Sequence, residues 1–345
     1  MAVIEKVDDL RHESRRMGEC SLDHATGHNR SVQAITAAPF AAGLSNQKMA
    51  LASLILAARA ERTAVALPAL LDFEPGSVNH PRRTYGEIFD LAELEAVAQV
   101  AFVRCAEENR DPASLFHALA SEIGVSQDGG TLGTHPVLAL LAAMRPERTL
   151  QARVYEARRR FHEMGGRVVC QMRVERDWVT YLDSRLAARL GATQDLTTDP
   201  IAIAQKLIVT FGRDIGPVLV TCDLKGMTIT SELLAESVAQ ATGLRLLFKH
   251  ELIDGDPPSA PLAASLFDFE LMATAEQMVG TTLSSFFGLA SLTCLARRRA
   301  TTAWAYNAFG PALLRRTDNG AFANLQRATA GGCSIGNGST ARPSR

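Results

Sequence analysis

Gly43-Leu44-Ser45-Asn46-Gln47-Lys48-Met49 opens an apolar helix that runs through about residue 60. The helix feeds a short β run, Thr63-Ala64-Val65-Ala66-Leu67, which ends on Pro68. Glycine permits close backbone approach and positive φ. A helix start directly behind it exposes unpaired N–H groups and the positive end of the helix dipole. Such a turn suits phosphate or sugar oxygens. It lacks the three spaced glycines of a dinucleotide fingerprint and the Gly-Lys-Ser/Thr of a P-loop.

Outward from this turn the pattern alternates between strands and helices. Residues 31–35 form a candidate first strand, and 91–106 and 113–124 are helical in pattern. Residues 127–133 form a loop with glycines at 129, 130 and 133, and 150–164 form a charged amphipathic helix stopped by Gly165-Gly166. The strand Arg167-Val168-Val169-Cys170-Gln171-Met172-Arg173 follows. Then come a helix near 200–211, a strand at 217–222, a helix near 230–242 and a strand at 244–248. A helix near 260–274, a strand at 277–279 and a helix at 284–297 close the series. Alternation over two blocks predicts an α/β fold with parallel sheets, as two Rossmann-like domains facing each other across a cleft. The boundary is expected at Gly165-Gly166, giving domains over 31–165 and 166–327. Residues 1–30 read as a poorly ordered arm and 328–345, rich in Gly, Ser, Thr and Arg, as a disordered tail.

The bulk numbers limit the partners. At 345 residues, 47% hydrophobic and 21% charged, the chain can bury cores in two domains. Lys+Arg of 36 against Asp+Glu of 37 leaves no basic excess for nucleic acid or an anionic membrane. The runs Arg158-Arg159-Arg160 and Arg297-Arg298-Arg299 read as solvated helix faces or ends. No run of about 18 apolar residues suggests a membrane span, and the first 30 residues lack the apolar core of a signal peptide. The six cysteines are scattered without a CxxC pair; Cys170 and Cys222 read as small core residues. His135, His162 and His250 lack partners at metal-ligand spacing, so no metal is expected.

Four segments carry candidate chemistry. Arg173-Val174-Glu175-Arg176-Asp177 follows a buried-looking strand, and a guanidinium there offers a donor fork for phosphate oxygens. Glu175 and Asp177 would orient the arginine or approach a substrate hydroxyl; a surface salt-bridge cluster is the other reading. Gly280-Thr281-Thr282-Leu283-Ser284-Ser285 is a strand end, turn and hydroxyl-rich helix start, suited to a diphosphate or to simple N-capping. Asp268, with Glu276 eight residues on, would accept from a purine amino group or ribose hydroxyl, or stand as an exposed helical acid. Tyr85-Gly86-Glu87-Ile88-Phe89-Asp90 reads as a turn with a helix cap at Asp90.

In this order, these segments resemble the GDP-fucose protein O-fucosyltransferase superfamily, including its plant branch, over about residues 36–305. Residues 43–49 look like its Gly-Leu-Asn-Asn-Gln-Arg turn, and 62–68 like the strand that follows. Residues 85–90 are similar to its Ile-Phe-Asp element, and 170–181 to its His-Leu-Arg-x-Glu-x-Asp-Met strand end. Residues 268–280 are similar to its late Asp-Tyr…Asp-Val-Phe segment, and 281–286 fall at its Thr/Ser-rich turn. The resemblance implies a GT-B fold and an inverting, metal-independent glycosyltransferase. That enzyme would move fucose from GDP-fucose to a hydroxyl acceptor, protein Ser/Thr or glycan, without a cofactor. UDP-rhamnose with a polysaccharide acceptor, or nucleotide-sugar binding without catalysis, are the alternatives. By the same resemblance Arg173 holds the β-phosphate, while Gly43, Ser45 and Asn46 face the donor. Gly280, Thr281, Thr282, Ser284 and Ser285 line the phosphate turn, and Asp268 lies near the base. A Golgi or ER lumen would follow for the family, though no leader is visible here. Two departures stand out: Gln171 replaces a histidine, and Ala42 replaces a glycine. The 43–47 loop also carries no carboxylate, which moves the catalytic burden to leaving-group stabilisation.

Overall fold

The computed structural model describes residues 33–74, 77, 79–125, 135–186, 195–297 and 300–315. The expected arm, the 127–133 loop, the C-terminal tail, Arg298 and Arg299 lie outside the described residues.

The first series begins with β1 (Ala34–Ala37), α1 (Leu44–Glu61) and β2 (Ala64–Ala66), followed by a small antiparallel hairpin of β3 (Leu70–Leu71) and β4 (Arg82–Arg83). It continues through α2 (Tyr85–Ile88), α3 (Leu91–Ala98), β5 (Phe102–Val103), β6 (Glu108–Arg110), α4 (Pro112–Val125), α5 (Val137–Ala143) and α6 (Arg148–Glu163). Strands pair in the order β5-β2-β1-β6, all parallel. Helix α1 buries side chains on nearly all sides, from Leu44 and Met49 to Leu54, Ile55 and Ala58, as expected of a helix packed within a core. The 91–106 helix read from sequence is shorter: Gln99 adopts a left-handed conformation at φ 54, the helix stops at Ala98, and the chain re-enters the sheet as β5. Asp90 caps α3 as expected, its Oδ1 accepting from the Ala92 N–H at 3.1 Å.

The second series comprises β7 (Val168–Gln171), α7 (Arg176–Tyr181), α8 (Pro200–Phe211), β8 (Val218–Thr221), α9 (Ser231–Thr242), β9 (Leu246–Phe248), α10 (Pro261–Ala273), β10 (Gln277–Gly280), α11 (Ser285–Ala296), β11 (Thr302–Ala305) and β12 (Leu314–Arg315). Their order is β12-β11-β10-β7-β8-β9, parallel throughout except for β12. Alternate residues of a strand face opposite sides of the sheet. Val168, Cys170, Val218, Val220, Leu246 and Phe248 pack under α8 and α9 with Ile203, Leu207, Leu234 and Val238. Val169, Leu219, Leu247 and Met278 join Phe267, Leu271 and Phe287 on the other side. That second core continues into α1, α5 and α6 through Leu51, Ile55, Leu141, Val154 and Phe161. The stop after α6 has a physical cause: Gly165 sits at φ 82, and a Cβ at Gly166 would lie 2.0 Å from the Phe161 ring.

Polar groups are also buried where the two series meet. Arg297 pairs with Glu270 at 2.6 and 3.0 Å through both terminal nitrogens, and its Nε donates to the Ala142 carbonyl of α5. The expectation of a solvated Arg297 is therefore corrected: the end of α11 turns inward onto α5 and α10. Arg159 and Arg160 do lie on the surface of α6, paired with Glu156, Glu163 and Asp254. Lys48, at 1% exposure, donates to the Met144 carbonyl at 3.3 Å, with its Nζ 4.0 Å from the Phe269 ring centroid. In the second sheet the chain moves outward from β7 to β8 and β9, then returns on the other side of β7 as β10. The crevice beyond the ends of β7 and β10 is thus a topological switch point, where open α/β sheets take ligands.

Candidate functional site

Arg173 lies two residues beyond β7, at this switch point. Its backbone N–H donates to the Tyr306 hydroxyl at 3.4 Å, and its guanidinium carbon stands 4.7 Å from the centroid of the Trp178 ring. Glu175 approaches its Nε at 3.5 Å and Asp177 a terminal nitrogen at 3.8 Å. The Nε is buried without a hydrogen-bond acceptor, so the guanidinium is steered by two carboxylates while retaining donor capacity. The two acids differ in setting. Glu175 is 2% exposed, and its Oε1 accepts from the Asp223 N–H at 3.0 Å, which ties the ends of β7 and β8 together. Burial pushes its carboxyl up from the ordinary range, against the opposing pull of Arg173. Asp177 is exposed, in the first turn of α7. Of the pair, Glu175 has the geometry of a clamp on Arg173, and Asp177 is the acid that solvent reaches.

The turn after β10 lies alongside. Gly280 is required there by packing: a Cβ would meet the Phe287 ring at 2.4 Å, so the glycine lets α11 close onto the strand. Thr281 is buried and its hydroxyl accepts from the Leu283 N–H. Ser284 precedes α11 and accepts from Gln171 Nε2 at 3.2 Å, across from the last residue of β7. Gln171 Oε1 is buried and without a partner. Thr282 is gripped by Asn307: its N–H donates to Asn307 Oδ1 at 3.0 Å, and its Oγ1 accepts from Asn307 Nδ2 at 2.7 Å.

From the first series, the turn ahead of α1 reaches the same place. Asn46 Oδ1 accepts from the Ser285 hydroxyl at 3.0 Å, linking residues 239 positions apart. Gly43 has an ordinary φ of −60, and a Cβ there would meet nothing within 4 Å. Neither positive φ nor close protein packing demands this glycine, contrary to the reading from sequence; it borders open space. Ser45 is corrected more sharply. It is 3% exposed, with its hydroxyl buried and unpaired. Gln47, also buried, holds the hairpin, donating to the Leu71 carbonyl and accepting from the Leu71 N–H.

Asp268 is not an exposed acid. It is 7% exposed on α10 and forms a 2.6 Å ion pair with Lys249, which follows β9. Burial raises its carboxyl, opposed by Lys249. Glu276 lies apart from the site, near His162 and Arg167 on the surface. Among the described residues no group of three His, Cys, Asp or Glu is placed to hold a metal, and no helix is long and apolar enough to cross a membrane.

The structure therefore links Arg173 to Glu175 and Asp177, the turn at 281–285 to the end of β7 through Gln171 and Ser284, and Asn46 to Ser285, while Ser45 is buried. Sequence reasoning missed Gln171's bond to Ser284 and the whole segment 306–308. The signal for the latter was the alternation of Ala303-Trp304-Ala305-Tyr306, a strand ending on polar Asn307. No family model and no curated protein matches the sequence. Solved structures do. POFUT1 crystallised with GDP aligns at a TM-score of 0.53 and 10% identity, over 79% of this chain and 98% of that one. POFUT1 with GDP-fucose aligns at 0.51 and 10%, over 79% and 96%. The apo form gives 0.50 and 10%, over 80% and 99%. At this identity the likeness is one of fold: a mixed α/β architecture with parallel sheets, shared with POFUT1.

Proposed function

We propose that the protein is an inverting, metal-independent glycosyltransferase that moves fucose from GDP-fucose to a hydroxyl acceptor, protein Ser/Thr or glycan. The observation that carries this reading is the Asn46–Ser285 hydrogen bond. It brings the turn of the first series to the start of α11, one residue from Ser284, which Gln171 ties to the end of β7. A diphosphate in this crevice meets a guanidinium, hydroxyls and a helix start together, the arrangement that stabilises a departing anion. In this reading Arg173 takes the β-phosphate, and the turn at 281–285 takes the remaining phosphate oxygens. Asn46 orients the sugar from the 31–165 side, and Gln171 Oε1 accepts from a sugar hydroxyl. Bond cleavage leads, the sugar develops positive charge, and the acceptor oxygen attacks its open face. The acceptor proton passes to Asp177 or to water, since Glu175 is buried. The fold likeness to POFUT1, crystallised with GDP-fucose, supports the same donor.

GDP release from GDP-fucose tests the proposal. Wild type should release GDP, and Arg173→Ala should lower the rate by about 100-fold or more, the usual cost of removing an oxyanion-type donor. Release unaffected by the substitution would remove Arg173 from this role, and turnover of UDP-rhamnose instead would reassign the donor. A second reading, nucleotide-sugar binding without transfer, is favoured by the two carboxylates already flanking Arg173. GDP binding without any release would establish it.

A further inference from the structure

The segment Tyr306-Asn307-Ala308, at the end of β11, is held in an unusual way. Lys206 of α8 is 6% exposed, and its Nζ donates at 2.8 Å to the carbonyls of both Tyr306 and Ala308. The intervening Asn307 carbonyl accepts from the Asp195 N–H at 3.2 Å, and the Asp195 carboxylate pairs with Lys206 at 2.6 Å. Three consecutive carbonyls are thus fixed by one lysine–aspartate unit. What this holds in place is the Asn307 side chain, 1% exposed, with both of its polar atoms on Thr282.

The orientation of that amide is set by its partner. A backbone N–H only donates, so the atom facing the Thr282 N–H is the carbonyl oxygen. The NH2 group must then face Thr282 Oγ1 and donate to it. A hydroxyl that accepts such a bond directs its own hydrogen elsewhere and becomes a stronger donor, because linked hydrogen bonds polarise one another. The same segment also supports Arg173, whose N–H donates to the Tyr306 hydroxyl.

We propose that Asn307 is a positioning residue of the crevice: through its two bonds to Thr282 it presents the Thr282 hydroxyl as a donor to a phosphate oxygen of a nucleoside diphosphate. This rests on the proposed function, in that it takes the diphosphate to lie at the turn 281–285. Asn307 itself touches no phosphate; it acts through Thr282, with Lys206 and Asp195 holding it there.

A double-mutant cycle on GDP affinity tests this, with GDP titrated calorimetrically into the full chain as wild type, Thr282→Val, Asn307→Ala and the double variant. Thermal melting of each variant confirms folding, and Asn307→Leu, close in shape and unable to donate, replaces the alanine variant if that one fails to fold. Losing a hydrogen bond to a charged oxygen weakens binding by about 10- to 100-fold. Each single variant should show a loss of that order. The double variant should lose about as much as Thr282→Val alone, because the two residues act as one unit. Thr282→Ser, which keeps the hydroxyl, should stay within about 3-fold of wild type. Multiplying losses, or full affinity in Thr282→Val, would overturn the role given to Asn307 while leaving the diphosphate site standing. No GDP binding by wild type would overturn the proposed function and this inference with it.

Discussion

Replacing Lys48 with methionine should stabilise the protein in acid more than in base, and the difference can be worked from its surroundings. Lys48 is enclosed by α1, the Met144 carbonyl and the rings of Phe89 and Phe269, with Glu270 and Arg297 the charged groups nearby. Burial lowers its pKa from 10.5 to about 7, partly offset by Glu270 and reinforced by Arg297. The sign follows from linkage: between about pH 7 and 10.5 the unfolded chain holds a proton that the folded chain has shed, so stability rises with pH. From pH 6 to pH 9 the folded protein passes about two pH units above its own pKa, and at about 1.4 kcal/mol per unit this gives about 3 kcal/mol. Lys48→Met removes that dependence while keeping the chain length and contact with both rings. Urea unfolding of both proteins, followed by the fluorescence of Trp178 and Trp304, should show the methionine variant ahead at pH 6. Its advantage should shrink by about 3 kcal/mol at pH 9; all other titrating groups cancel in the difference. A difference between the two proteins that stays flat from pH 6 to 9 would refute the burial of a titrating lysine at this position.

Other outcomes follow from the packing. Gly280→Ala places a methyl against the Phe287 ring and should cost about 1–3 kcal/mol, as overpacking does; the readout is the urea midpoint, and an unchanged midpoint would mean α11 is free to shift. Arg297→Met strands a buried Glu270 carboxylate and should cost about 3–5 kcal/mol, whereas the double change with Glu270→Met should recover most of it, since an apolar pair replaces a buried ion pair at little loss. Equal instability of the single and double variants would contradict the pairing.

Much of the fold was legible because it was local. The uninterrupted apolar runs Val168-Val169-Cys170 and Val218-Leu219-Val220 give strands buried on both faces, and Gly165-Gly166 marks a helix end that the Phe161 contact then explains. Arg173 was legible as a strand-end cation because it breaks an apolar run. The parts that failed depend on distant partners. Asp268 looks like a helical acid until Lys249, 19 residues earlier, closes onto it. Arg297 looks solvated until Glu270 and Ala142 cover it. Ser45 and Asn46 are neighbours in one polar turn, and only the rotation of α1 decides that one faces the core and the other Ser285. The 91–106 stretch has helical composition throughout, and the left-handed Gln99 that breaks it is not a residue type that announces a stop. Strand pairing order, which places β10 beside β7 and creates the crevice, is a long-range property that no local pattern carries.

The proposed function rests on a nucleoside diphosphate-sugar site built on Arg173 and the turn at 281–285. It is tested most directly by thermal shift with GDP, UDP, GDP-fucose and UDP-rhamnose on wild type and Arg173→Ala, since a ligand bound only by the folded state raises its melting temperature. GDP and GDP-fucose should raise the wild-type melting temperature and lose most of that shift in Arg173→Ala. Equal shifts in the two proteins, or none with any of the four ligands, would contradict it.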